Sequence, residues 1–233
     1  MDKVLLIIPA YNEEKNLQSL IENIRNLNEG YDILVVNDCS TDNTKFVCKS
    51  IGVNTINLPA NLGIGGAMQT GYKYAYYNDY DIAIQVDGDG QHNPQYIKDL
   101  IKEIKKGYNM AIGSRFITKE GFQSTFLRRI GINYFNWIIK ILTKANITDP
   151  TSGFRAADRK TINLFRKYYP VDYPEPETVV LLQKNKLRVK EIPVIMNERL
   201  EGKSSIDSIK SIYYMIKVSI AILITAISTH KEV

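Results

Sequence analysis

Four short apolar runs rich in β-branched residues, VLLIIP (4–9), DILVVN (32–37), GVNTINLP (52–59) and DIAIQVD (81–87), are each closed by a polar or glycine-bearing turn. The first three lead into segments whose apolar residues recur with the 3.6-residue period of a helix, which predicts a β-α-β-α-β-α-β half-domain. Helices are expected to start in NEEKNLQSLIENI (12–24), STDNTKFVCKS (40–50) and NPQYIKDLIKEIKK (93–106), where Ser, Thr, Asn or Asp precede a first turn with acidic residues or proline. NMAIGSRF (109–116) reads as a fifth strand. Apolar runs that alternate with helices indicate an α/β, Rossmann-like fold: a mostly parallel sheet covered by helices, with ligands at the carboxyl ends of the strands. Chemistry is therefore to be sought at 9–13, 37–42, 61–66, 87–91 and 114–116.

Beyond residue 120 the pattern changes. Residues 122–143 place Phe122, Phe126, Ile130, Tyr134, Trp137, Ile138 and Ile141 among Arg128, Arg129 and Lys140, an aromatic and basic amphipathic helix. A last helix is apolar nearly all round from Ile212 to Ile227, yet Lys217 interrupts it and it falls short of the ~20 residues of a spanning helix. These helices would lie on a membrane surface, or pack on the sheet or on another subunit. With no repeat or low-complexity linker, the expected organisation is one domain over 1–205 and a C-terminal helical appendage over 206–233.

Charge and cysteine usage narrow the class only a little. Thirty Lys and Arg against twenty-five Asp and Glu leave a formal charge of +5, a mild basic bias towards phosphates or anionic surfaces. Cys39 and Cys48 lack accompanying His or Cys, so neither a disulfide framework nor a zinc site is expected, and the compartment is reducing. The N-terminus reads as a first strand instead of a signal peptide, which points to the cytoplasm.

The candidate chemistry lies after the strands. DGDGQH (87–92) follows an apolar strand that should be central in the sheet. Carboxylates at i and i+2, Asp87 and Asp89, can bring hard oxygens to one divalent cation, with Gln91 as a third ligand, and the glycines let a phosphorylated ligand approach the backbone. His92 is another candidate ligand, though a lone His after a turn is more often an ordinary polar residue. Asp38 can accept the imide N–H of a base, while Ser40 or Thr41 caps the next helix and Asp42 favours its dipole. NLGIGG (61–66) is a weak dinucleotide signature because it follows the third strand; it reads better as one wall of a nucleotide pocket. Arg115, Arg199 and Lys203 are candidate phosphate ligands, with Arg128, Arg129 and Arg155 in the same basic group. Glu175 and Glu177 start a helix as dipole partners, or one of them contacts a sugar or serves as base.

These stretches, in order, resemble the family 2 glycosyltransferases of GT-A fold, in the branch of dolichyl-phosphate mannose synthases and bacterial polyprenyl-phosphate glycosyltransferases. The resemblance runs through IIPAYNEEKNL, VVNDCSTDNT, NLGIGGAMQTGYKYA, QVDGDGQHNP, AIGSRF, DPTSGFRA and ERLEGKSS, roughly residues 3–207. It implies that Pro9, Tyr11, Glu13 and Asp38 hold the donor nucleotide, beside Asn61, Gly63 and Gly88. It implies that Asp87, Asp89 and Gln91 bind Mg2+ or Mn2+. It further implies that Arg115 and one of Arg128 or Arg129 meet the acceptor phosphate, with Arg199 and Lys203 on the donor diphosphate or the acceptor. Asn37 replaces the first acid of the family's strand-two pair, the lysine directly follows glycine in RLEGKSS, and the EPE stretch lacks the Glu-Asp pair of polysaccharide-building relatives.

The function so implied is inverting, metal-dependent transfer of a sugar from a UDP- or GDP-linked donor to a polyprenyl phosphate of the undecaprenyl type, for cell-envelope glycan modification. Asp89, Arg115, Arg128, Arg129, Arg199 and Lys203 would carry the reaction. The protein would lie peripherally on the cytoplasmic face of the membrane, as a homo-oligomer or with a small membrane-protein partner, and with no nucleic-acid partner. The alternatives are extension of a glycan through a sugar hydroxyl, with Glu175 or Glu177 as base, and a non-catalytic nucleotide-sugar sensor.

Overall fold

The computed structural model describes residues 2–121, 126–172, 174–197 and 208–228. Strands β1 (Val4–Ala10), β2 (Asp32–Asn37), β3 (Asn54–Asn57), β4 (Ile82–Gln85) and β5 (Met110–Ser114) fall on the predicted runs. Two further strands, β6 (Arg155–Asp158) and β7 (Val189–Pro193), complete a seven-stranded sheet ordered β3-β2-β1-β4-β6-β5-β7. The helices are α1 (Leu17–Arg25), α2 (Thr44–Ser50), α3 (Gly63–Tyr77), α4 (Ile97–Lys105), α5 (Phe126–Thr143), α6 (Arg159–Lys167), α7 (Pro174–Lys184) and α8 (Ser208–Ile227).

β4 is central, as its apolar run predicts. Its neighbours differ in direction: β1 runs parallel to it and β6 antiparallel, with Gln85 opposite Arg155. β6 also pairs antiparallel with β5, while β7 closes the sheet parallel to β5. Four residues reading RAAD carry no alternation from which a central strand can be read; the small Ala156 and Ala157 fit because both faces are already covered.

Side-chain alternation along β1 divides the core. Leu5 and Ile7 join Met68, Phe135, Ile162, Val179 and Val218 of α3, α5, α6, α7 and α8 on one face. Leu6 and Ile8 join Leu17, Leu20, Ile97 and Leu100 of α1 and α4 on the other. Each such buried side chain contributes roughly 1.5–3 kcal/mol, so the strand-end loops rest on a fixed platform.

α8 packs on α5 and α7, with Val218 and Ile222 turned inward. The opposite faces remain exposed, at Ile130, Tyr134, Trp137 and Ile141 on α5 and at Ile216, Ile220, Leu223, Ile224 and Ile227 on α8. The Ser219 hydroxyl donates to the Tyr134 hydroxyl oxygen at 3.2 Å and ties the two helices together. Among the described residues no helix is long and apolar enough to cross a membrane.

The predicted caps of α2 are corrected. Ser40 and Thr41 precede the helix and instead bind the β1–α1 loop: the Ser40 hydroxyl accepts from the Asn12 N–H at 3.0 Å, and the Thr41 N–H donates to Asn12 Oδ1 at 2.8 Å. The capping carboxylate is Asp42, whose Oδ1 accepts from the Thr44 N–H at 2.9 Å.

Candidate active site

The strand ends of β1, β2 and β4, the start of α3 and the start of α7 enclose a cavity of about 910 Å³. Pro9, Tyr11, Glu13, Asp38, Asn61, Gly63, Asp87, Gly88 and Asp89 all line it, so residues up to eighty positions apart in sequence share one wall. Tyr11 is half exposed and offers a ring face. Asp38 is buried at the end of β2, and its Oδ1 accepts the Leu62 N–H at 2.7 Å. That bond closes the turn into α3, where Gly63 has φ +72 and relieves the backbone. Gly65 two residues on is required for packing, because a Cβ there would lie against the Val171 carbonyl oxygen.

The metal-type carboxylates are held from inside the protein. Asp87 Oδ1 accepts from Gln85 Nε2 at 3.0 Å, and the Asp87 N–H donates to His92 Nδ1 at 3.0 Å. Asp89 is buried, and its Oδ1 accepts the Gln91 N–H at 3.1 Å. Gly153 lies against this pair: a Cβ there would stand 2.7 Å from Asp87 Oδ2 and 2.8 Å from Gln85 Nε2. The space around Asp87 therefore depends on a glycine in the loop before β6.

The wall carries eight acidic side chains and one lysine: Glu13, Glu14, Asp38, Asp42, Asp87, Asp89, Asp172 and Glu175 against Lys15. Such a field disfavours a diphosphate, and a cation placed between them offsets the repulsion. Among the described residues no group of three His, Cys, Asp or Glu is placed to enclose a metal. Two carboxylates on the wall of an acidic cavity nonetheless fit Mg2+ or Mn2+, which take oxygen ligands and commonly complete their shell with water and phosphate. Glu175 lies on the same wall, and burial first, then the Asp87 charge, pushes its carboxyl upward against the opposing pull of Arg155.

The structure separates other residues from this cavity. Gln91 is not on the wall; its backbone binds Asp89 and Asn197. Arg115 lines no described cavity; it is buried in a two-bond pair with Asp149, Nε to Oδ2 at 2.7 Å and Nη2 to Oδ1 at 2.8 Å. Arg155 is a packing residue, bonded to the carbonyls of Pro150, Ser152 and Glu175 and to the Thr178 hydroxyl. Glu177 faces α8, accepting from the Thr225 hydroxyl at 2.6 Å. Arg129 lines a second cavity of about 510 Å³ with Phe116, Lys119, Asn136, Trp137 and Lys140. The Arg128 side chain, Arg199 and Lys203 lie outside the described residues.

The sequence does not announce the roles of His92 and Gln85. His92 is 3% exposed and stacks on Phe154 at 4.8 Å, which no local pattern announces. Gln85 was legible in one respect: an amide inside an otherwise apolar central strand needs a polar partner.

Comparison with known proteins agrees with this architecture. Residues 5–165 match the model of glycosyl transferase family 2. The chain is 36% identical over 201 residues to an uncharacterized protein of Methanocaldococcus jannaschii, covering 83% of this chain and 81% of that one. It is 33% identical over 216 residues to the UDP-N-acetylglucosamine–dolichyl-phosphate N-acetylglucosaminyltransferase of Methanococcus voltae, covering 83% and 85%. A dolichol-phosphate mannosyltransferase of Pyrococcus furiosus is 31% identical over 230 residues, covering 92% of this chain and 64% of that one. The fold is shared with glucosyl-3-phosphoglycerate synthase from Mycobacterium tuberculosis, solved with Mn2+, uridine-diphosphate-glucose and phosphoglyceric acid. That likeness has a TM-score of 0.74 at 18% identity and covers 97% of this chain and 79% of that one. With its strand-end cavity, its mixed sheet and a family match over most of its length, the chain belongs to glycosyl transferase family 2 and adopts the GT-A fold.

Proposed function

We propose that the chain transfers a sugar from a UDP- or GDP-linked donor to the phosphate of a polyprenyl phosphate, with inversion at the anomeric carbon, giving a lipid-linked monosaccharide. The observation that carries this reading is the acidic cavity, in which Asp87 and Asp89 share one wall with Asp38 and Tyr11. The relatives named for transfer to dolichyl or dolichol phosphate support the acceptor class.

In this reading Tyr11 and Asp38 receive the base, one by its ring face and the other at the base N–H, while Pro9, Glu13, Asn61 and Gly63 shape the pocket around the nucleoside. Gly88 lets the diphosphate approach the backbone; a Cβ there would already stand 3.2 Å from the Pro9 carbonyl. Asp87 and Asp89 would hold Mg2+ or Mn2+. When bound, that cation neutralises charge developing on the departing diphosphate. The acceptor phosphate is already ionised at neutral pH, so its oxygen needs no strong base, and positioning with electrostatics supplies the rate. Arg129 and Arg128 on α5, with Arg199 and Lys203, would bring cations to the acceptor and the diphosphate. Arg115 would act through Asp149, by holding the loop that leads to Gly153.

The exposed faces of α5 and α8 would meet the bilayer, with Trp137, Ile141, Ile220 and Ile224 at the acyl boundary and Arg129 and Lys140 at headgroup level. In this reading the protein lies peripherally on the cytoplasmic face, with residues 206–233 as the segment that binds membrane, a second copy or a small membrane protein. The test is a panel of nucleotide sugars with undecaprenyl phosphate in vesicles and Mg2+ or Mn2+, with Asp89→Asn as control. The expected result is a glycolipid from one donor that depends on cation and on Asp89. Equal product from Asp89→Asn would sink the metal assignment, and product only with a sugar-hydroxyl acceptor would sink the lipid-phosphate assignment.

A further inference from the structure

We propose that His92 and Gln85, which do not line the donor cavity, are positioning residues that aim the Asp87 carboxylate at the cation; the inference rests on the metal reading given above. Asp87 directly precedes the Gly88-Asp89-Gly90 turn, and its chain neighbour Gly88 has no side chain to brace its carboxylate. The buried groups behind it brace it instead. His92 Nδ1 accepts the Asp87 N–H at 3.0 Å, which leaves the imidazole proton on Nε2, and Nε2 faces Asp87 Oδ2 at 3.5 Å. One ring thus contacts both the backbone and the carboxylate of the same residue. Its plane is fixed by stacking on Phe154, with 14° between the rings.

Gln85 holds the other oxygen, donating from Nε2 to Asp87 Oδ1 at 3.0 Å. The amide must face this way, because the reverse orientation would set two oxygens against each other. That orientation has a cost: Gln85 Oε1 is buried with no hydrogen-bond partner. The same amide also hydrogen-bonds the Glu175 side chain, so Gln85 ties two carboxyl groups of the cavity together, and Asp87 is the one of the pair at the strand end. One Asp87 oxygen is hydrogen-bonded and the other is approached at 3.5 Å from the protein side, while the side chain remains about one-third exposed towards the cavity, at 35%. Outward lone pairs are left for the cation, and such outer partners commonly set metal affinity by 10- to 100-fold.

The test measures Mn2+ affinity of the full chain by electron paramagnetic resonance titration, alongside UDP affinity in chelator and thermal melting. His92→Ala and Gln85→Leu are expected to weaken Mn2+ binding about 10- to 100-fold, with UDP binding in chelator unchanged and transfer recovered at high Mn2+. His92→Asn, whose amide oxygen stands near the position of Nδ1, should restore part of the loss. Mn2+ affinity within about threefold of wild type in both weakened variants, with Asp89→Asn abolishing it, would overturn the inference and leave the metal reading intact. Loss of metal-free UDP binding in parallel with Mn2+ binding and melting temperature would also overturn it, by showing a general packing role. Wild-type Mn2+ binding by Asp89→Asn would remove the metal reading itself.

Discussion

The Arg115 guanidinium and the Asp149 carboxylate meet face to face inside the protein, at 2.7 and 2.8 Å, with side chains 6% and 0% exposed. The resemblance to lipid-phosphate glycosyltransferases had placed Arg115 on the acceptor phosphate, yet its fork is occupied by Asp149 and it also reaches the Thr151 hydroxyl. Removing one partner of a buried pair typically costs 3–5 kcal/mol. Arg115→Ala should therefore lower unfolding stability by about that amount, and Arg115→Met with Asp149→Leu should recover most of it in denaturant titrations. Unchanged stability with a raised acceptor KM would return Arg115 to the acceptor site.

Asp38 offers one oxygen to Leu62, and in the proposed function the other receives the base. In Asp38→Asn the carbonyl can still accept from Leu62, but an N–H2 would face a base N–H. Donor KM should rise by about 10- to 100-fold, the penalty of an unpaired polar contact, with a smaller change in kcat. An unaltered donor KM would show that the base lies elsewhere.

Gly153 should be intolerant of a methyl group for a reason local to the site. Gly153→Ala forces Asp87 or Gln85 to move, since both lie within 2.8 Å of the new carbon. Mn2+ affinity should drop while circular dichroism and melting stay near wild type. Gly65→Ala meets backbone carbonyls at 2.1 and 2.2 Å and should lose stability instead, by about 1–3 kcal/mol for overpacking. The two variants reversing these patterns would contradict the geometry.

Glu191 provides a pH test away from the cavity. Burial pushes its carboxyl above the ordinary 4.5, although the N–H groups of Thr148 and Asp149 and the Thr148 hydroxyl partly offset this. The folded state then holds a proton that the unfolded chain releases first, so this group's contribution to stability falls as pH rises from 4.5 through the folded pKa. Glu191→Gln should be less stable overall, having lost one of the two oxygens that accept the Thr148 and Asp149 N–H groups, but its stability should decline less over that window. Parallel wild-type and mutant pH profiles would refute the shift.

The exposed stripe of α8 is expected to bind anionic vesicles. Ile220→Asp with Ile224→Asp alters outward residues only, so the fold should persist while cosedimentation with vesicles falls several-fold; apolar burial and headgroup attraction both contribute to such binding. Retained vesicle binding together with a change in oligomeric state would assign the stripe to a second copy.

The five strands with β-branched runs, and the loops that follow them, were determined by the sequence itself, because apolar period and turn chemistry are local properties. The same holds for the Asp87–Gly–Asp89 turn and for the placement of Asp38 at a strand end. β6 was not legible, since RAAD owes its strand conformation to edges offered by β4 and β5 on either side. Nor was the burial of Arg115, which depends on Asp149 returning from thirty-four residues away. His92 is the clearest case: nothing in DGDGQH distinguishes a solvated histidine from one stacked on Phe154 and bonded to Asp87. Local chemistry determined which side chains were available; long-range packing decided which faced the cavity, because burial and hydrogen-bond partners are set by elements distant in sequence.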